Sequence, residues 1–154
     1  MKDIFQAIRT KNNEEYDLLI NTTNFNVVNN YGQNLLQESI SFDNQYVSND
    51  LINKNIDLNH KDKDGKTALH YCASHNNFNI AEAILKKECE IDICDNYGNN
   101  PLWVSVFNSR GVYDIVKLFV KYKANLNNKN NAGKTPLDFA IQINDEELIK
   151  ILKT

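Results

Sequence analysis

Apolar residues recur along this chain at helical spacing, in short stretches separated by polar punctuation. Val47, Leu51 and Ile52 stand at i, i+4 and i+5. Ile80, Ile84 and Leu85 repeat that spacing, and so do Ile115, Phe119 and Val120. Each triplet lays a single apolar stripe along a short helix, which therefore faces a neighbour. A second apolar series, Leu36, Leu69, Leu102 and Leu137, lies upstream of those stripes, each leucine four residues after a glycine. The pattern predicts pairs of short helices. The second helix of a pair begins after Asn76-Asn77, after Asn108 to Gly111, or after Asn144-Asp145.

The punctuation has the same phase. Gly32, Gly65, Gly98 and Gly133 follow one another at intervals of 33, 33 and 35 residues. Three residues before each glycine stands Asn29, Asp62, Asp95 or Asn130. Six before stands Asn26, Asn59, Asp92 or Asn127, each preceded by an apolar residue. An Asx residue followed by two variable residues and glycine makes a tight turn, because the Asx side chain closes local hydrogen bonds and glycine accepts positive φ. Asn34, Thr67, Asn100 and Thr135 come next and suit a helix N-cap. Pro101 and Pro136 then occupy the first helical position, where a missing N–H costs nothing.

A 33-residue period with these residues resembles the ankyrin-repeat family. The family's signature reads here as Thr67-Ala68-Leu69-His70-Tyr71-Cys72, Asn100-Pro101-Leu102-Trp103 and Thr135-Pro136-Leu137-Asp138. The resemblance implies an all-α solenoid of about five stacked helix-turn-helix repeats joined by β-turn or hairpin loops. It fills one domain, 1–154, with repeats at about 1–29, 30–61, 62–94, 95–129 and 130–154. Two departures stand out. The 30–61 repeat has Asn34-Leu35-Leu36-Gln37 in place of the signature. The 95–129 repeat carries two extra residues near Ser109-Arg110-Gly111 and has Trp103 where the family has a histidine, so the hydrogen bond of that histidine is expected to be absent. No unit can bury its apolar face alone, so stacking makes the core. The terminal units are charged (Lys11, Glu14, Glu15 and Asp17; Asp145, Glu146, Glu147 and Lys150), as caps require, and the domain reads as complete.

Composition narrows the function. Net charge is −3 with a pI near 5.6, so no overall positive field draws the chain to nucleic acid or to an anionic membrane. Lys61, Lys63, Lys66, Lys129 and Lys134 gather near the turns, but Asp62 and Asp64 interleave with the first three, as in a solvated turn tip. No apolar run reaches the roughly 18–20 residues of a membrane span. The start, MKDIFQAIRTKNNEEYD, lacks the apolar stretch of a signal peptide. A cytoplasmic location follows, with Cys72, Cys89 and Cys94 as buried free thiols. The 26 asparagines are spread along the periodic chain and form no low-complexity tract.

Catalytic and metal chemistry find no footing. His70, Cys72 and His75 form an H-x-C-x-x-H string, yet at about 100° per helical residue the two histidines point about 140° apart, poorly placed for joint ligation. No phosphate loop exists, and no nucleophile has a persuasive base. The expectation is no cofactor, no metal and no enzyme activity. What the resemblance implies instead is a protein partner on the concave face, lined by turn tips and the exposed side of each first helix, with the chain monomeric when free. Carried over by position, the partner-binding residues are Tyr31, Phe42, Lys63, Asp64, Lys66, His75, Tyr97, Asn99, Trp103, Phe107 and Arg110. A small, mildly acidic ankyrin domain is similar to bacterial immunity proteins, which cover the active site of a toxin or enzyme domain. It is equally similar to regulatory adaptors and host-targeting ankyrin proteins.

Overall fold

The computed structural model describes residues 3–154. Met1 and Lys2, which open the expected first repeat, lie outside the described residues. Ten helices and no strand appear among the described residues. They come in five antiparallel pairs: α1 (Ile4–Arg9) with α2 (Asn13–Ile20), α3 (Leu35–Ser41) with α4 (Gln45–Asn53), α5 (Ala68–Ser74) with α6 (Phe78–Leu85), α7 (Pro101–Phe107) with α8 (Asp114–Lys121), and α9 (Pro136–Gln142) with α10 (Glu146–Leu152). The odd-numbered helices stack on one another as an inner layer, and the even-numbered ones as an outer layer.

Local chemistry starts and stops each helix. Asn34, Asn100 and Thr135 cap α3, α7 and α9 by accepting from the backbone N–H three residues on. Between the helices of a pair the chain turns through a left-handed residue, Lys11, Asp43, Asn76 or Asn144, and through Arg110 and Gly111 in the lengthened turn. Such helices are too short to persist alone. Burial of Leu36, Leu69 and Leu102 between the layers, against Val47, Leu51, Ile80, Ile84, Ile115 and Phe119, holds them.

The turn tips are stitched directly to one another. Asp62 Oδ1 accepts from the amides of Asp64 and Lys66, and Asp95 Oδ1 from those of Tyr97 and Asn99. Backbone bonds then cross from tip to tip: Lys63 N to Tyr31 O at 3.1 Å, Asn96 N to Asp64 O at 2.9 Å, and Asn131 N to Tyr97 O at 2.9 Å. Gly65 (φ +76°) and Gly98 (φ +77°) permit this approach, since a Cβ on either would stand 2.6 Å from the Oδ1 of Asn96 or Asn131.

Three expectations need correction. First, Trp103 does make a cross-repeat hydrogen bond. Its Nε1 donates to Lys134 O at 2.9 Å, just as His70 Nε2 meets Asn99 O at 2.8 Å and Gln37 Nε2 donates to Lys66 O at 2.8 Å. The indole lacks only the second half of the role, accepting the N-cap amide, which Gln37 Oε1 and His70 Nδ1 perform. Second, only Cys72 is buried; Cys89 and Cys94 are half-buried beside the loops that follow α6. Third, the last unit is not a polar cap. Its charges sit at the start and on the outer side of α10, while Leu137 is half-buried and Ile141 is 51% exposed; the matching Leu36, Leu69, Leu102, Ile40, Ala73 and Val106 are buried.

Candidate protein-binding face

The face expected to bind a partner is built from two rows. One is the turn tips, and the other is the inner-layer side chains six residues after each phased glycine: Glu38, Tyr71, Val104 and Phe139. Two hollows lie along it.

The C-terminal hollow, about 530 Å³, is lined by Tyr97, Asn99, Trp103, Val104, Phe107, Asn130, Asn131 and Ala132, none of them charged. Tyr97 stands on the tip and is 66% exposed; Phe107 ends α7 and is 57% exposed. Trp103 is only 8% exposed. It is clamped by its bond to Lys134 O and by a triad of rings, with centroids 5.5 Å from Phe139 and 6.2 Å from Phe107, while Phe107 and Phe139 are 5.3 Å apart. These are the separations at which aromatic rings attract in offset or tilted arrangements. Trp103 is thus mainly packing between repeats, offering one edge to the hollow. Asn99 Oδ1 is buried there without a hydrogen-bond partner, the one such side-chain atom among the described residues.

The N-terminal hollow, about 970 Å³, gathers Tyr31, Phe42 and Asp64 with Asp3, Phe5, Arg9, Glu38, Asp62 and Tyr71. Arg9 pairs with the buried Glu38, which also accepts from Asn29 at 3.0 Å, and its guanidinium lies 6.0 Å from the Phe42 ring centre. Tyr71 donates to Asp62 and accepts from Gln33 at 2.7 Å. Burial, reinforced by the Asp62 carboxylate, pushes the Tyr71 phenol well above its usual range.

The remaining sequence-derived positions do not join either hollow. Lys63 and Lys66 sit on the tips, Lys63 donating to Asn30 O at 2.7 Å and Lys66 lying 3.8 Å from Asp64. His75 caps the C-terminus of α5 and lines a small depression with Asn76, Asn77 and Phe78 at the turn end of the helices. Arg110 is exposed in the lengthened turn beyond the C-terminus of α7, one helix length from the tips. Val104, Asn130, Ala132 and Phe139 were not foreseen as groove residues. The signal that finds them is the register six after glycine, together with the tip residues flanking the last turn.

Sequence comparison decides the family. The family model for ankyrin repeats (three copies) matches residues 4–95, 44–130 and 83–154, nearly the whole chain. The chain belongs to the ankyrin-repeat family. It is 34% identical over 92 residues to a putative ankyrin repeat protein of fowlpox virus, covering 57% of this chain and 27% of that protein. Identity is 30% over 110 residues with a putative ankyrin repeat protein of Rickettsia felis, covering 66% of this chain and 48% of that protein. With the human transient receptor potential cation channel subfamily A member 1 it is 28% over 111 residues, covering 70% of this chain and 10% of the channel. The chain therefore spans half or less of the length of these relatives. Ankyrin repeats are protein–protein interaction modules, and stacking them creates an extended concave surface. Among the described residues no helix is long and apolar enough to cross a membrane.

Proposed function

We propose that this ankyrin chain, acting as one domain over 1–154, binds a partner protein without catalysis through its concave face. The observation that carries the reading is the C-terminal hollow: Tyr97 and Phe107 hold large aromatic surfaces open to solvent on the walls of an uncharged cavity of about 530 Å³. Exposed aromatics around a pocket are the residues on which interface energy concentrates. Tyr31, Phe42 and Asp64 contribute from the N-terminal hollow, Lys63 and Lys66 from the tips, and Asn99 and the edge of Trp103 from the C-terminal wall. His75 and Arg110 make flanking contacts at the turn end, within reach only of a partner wide enough to overhang the helices. Three free thiols suit a reducing cytoplasm, and the chain is read as a monomer until it meets its partner.

Within that reading, the finer role is an inhibitor or immunity protein that covers the active site of a toxin or enzyme domain. The alternative is a regulatory adaptor or host-targeting effector. A neighbouring gene for a large toxin favours the first, a secretion signal or host target the second. Pull-down from native lysate with mass spectrometry identifies the partner. Tyr97→Ala with Phe107→Ala should then weaken its binding at least tenfold. Tyr97→Ala alone should leave thermal melting unchanged, because its ring contacts solvent. Unchanged affinity in the double variant would remove the hollow from the interface.

A further inference from the structure

The residue after each phased glycine stands where a tip turn meets the groove: Gln33, Lys66, Asn99 and Lys134. Gln33 lines the N-terminal hollow and Asn99 the C-terminal one. Both ends of the Gln33 amide are satisfied. Its Oε1 accepts from Asn29 Nδ2 at 2.7 Å, and its Nε2 donates to the Tyr71 hydroxyl at 2.7 Å. Asn29 lies three residues before the glycine of that turn, and Tyr71 lies six after the glycine of the next.

Two repeats further on, both partners have changed. Three before Gly98 stands Asp95, whose carboxylate has no hydrogen to give, and six after Gly133 stands Phe139, a ring with no hydroxyl. The Asn99 side chain accordingly makes no hydrogen bond among the described residues, and its Oδ1 is buried. The neighbouring amides of the same hollow are in use. Asn130 Oδ1 accepts from the backbone of Ala132 and Lys134, and Asn131 Nδ2 donates to Asn96 O at 2.9 Å. At the intervening turn Lys66 has Val104 in the groove slot ahead of it and lies 3.8 Å from Asp64 instead. A polar group left unmet in this way costs free energy that an arriving hydroxyl or amide recovers.

Resting on the proposed partner-binding role, we propose that the C-terminal hollow receives a tyrosine side chain of the partner protein, which supplies the hydroxyl that Phe139 lacks. A phenol meets three conditions of the site. Its ring packs on Tyr97, Phe107 and the edge of Trp103 with the attraction that aromatic rings have for one another. It is neutral, as a hollow without charged lining requires, since a carboxylate or an ammonium would shed its hydration there with no counter-charge. Its hydroxyl both donates and accepts, so it serves whichever end of the Asn99 amide faces the hollow, as Tyr71 serves Gln33. Phenylalanine would fill the same space and leave the amide unmet, and tryptophan can only donate.

The test uses capped glycine pentapeptides with a central tyrosine, phenylalanine or tryptophan, titrated into the isotope-labelled full chain and followed by its amide cross-peaks. The tyrosine peptide should shift the Asn99 side-chain NH2 and the backbone amides of Tyr97, Phe107 and Ala132, with a Kd of about 1 mM. It should bind about fivefold more tightly than the phenylalanine peptide, the ordinary net contribution of one hydrogen bond. Phe139→Tyr, which places a hydroxyl in the groove slot that Tyr71 occupies earlier, should erase that preference, and so should Asn99→Leu. Cross-peaks away from the hollow report that each variant is folded. Equal binding of the tyrosine and phenylalanine peptides, a preference that survives either substitution, tighter binding of the tryptophan peptide, or no shift at all overturns the tyrosine inference and leaves the partner-binding role to the pull-down. A captured partner indifferent to Tyr97→Ala with Phe107→Ala overturns the hollow and this inference together.

Discussion

Replacing Trp103 by phenylalanine separates the two things that this side chain does between the fourth and fifth helix pairs. The substitution deletes the Nε1–H that donates to Lys134 O. That carbonyl does not become an orphan, because Asn130 N also donates to it at 3.0 Å. The hydrogen-bond loss is therefore the ordinary net contribution of about 1 kcal/mol, without the further cost of a buried unpaired acceptor. The substitution also removes the five-membered ring from a side chain that is 8% exposed and packed on Phe107 and Phe139, which adds about 1–2 kcal/mol of lost contact and cavity. Together these give about 2–3 kcal/mol. The damage falls on the junction between the fourth and fifth pairs, in a stack whose units are held only by their neighbours. The urea transition, followed by circular dichroism because Trp103 is the single tryptophan, should therefore shift to lower denaturant and broaden as the last pair uncouples. Trp103→Gln should show the opposite balance, keeping a donor and losing the rings, since Gln37 serves that slot two junctions earlier. A Trp103→Phe melt superimposable on the wild type would refute the account of this junction.

Other outcomes follow from the same geometry. Gly65→Ala should cost at least about 1 kcal/mol more than Gly133→Ala: both share the left-handed penalty, but only at Gly65 does the new Cβ meet Asn96, at 2.6 and 2.9 Å, whereas nothing lies within 4 Å at Gly133. Equal shifts in denaturant midpoint would mean that the tips are not stitched as described. His70 is held neutral by burial, with Nδ1 already accepting from Thr67 N, so its folded pKa lies below the ordinary value of about 6.5. The unfolded chain then takes up the proton first. His70 contributes no pH dependence well above pH 6.5, and stability falls as pH drops through that value toward the folded pKa. His70→Gln should lessen that loss between pH 7 and 5.5; an unaltered slope of stability against pH would exclude His70 as its source. Of the three thiols, half-buried Cys89 and Cys94 should react with a disulfide reagent in the native state. Buried Cys72, whose thiol is pushed far up by desolvation, should react only at the rate of unfolding. Three equal rates would contradict its burial.

The stack was legible in the sequence because its rules are discrete. A left-handed turn position asks for Gly32, Gly65, Gly98 or Gly133, a cap asks for Asn or Thr, and a buried interface asks for Leu36, Leu69 or Leu102, so each repeat writes the same letter in the same place. The groove row six after glycine has no such rule. Glu38, Tyr71, Val104 and Phe139 answer to local neighbours, an arginine, an aspartate or a ring triad, and share nothing but their register. Tyr97 and Phe107 were readable as exposed aromatics, whereas the burial of Trp103 depends on Phe139, 36 residues later. The misread cap has a similar cause. Glu146, Glu147 and Lys150 advertise a polar end, but they occupy α10, while on α9 Leu137 is half-buried and Ile141 exposed.

The slot five residues after each internal glycine holds an amide in Gln37, an imidazole in His70 and an indole in Trp103, and all three reach the equivalent carbonyl of the next repeat. What that junction specifies is a proton at a given height above the helix, and any flat side chain able to deliver it will serve. Such a position is free to drift through chemically unrelated letters without losing register, so a search for the family's histidine passes over two of these junctions while the physical repeat runs through them unbroken.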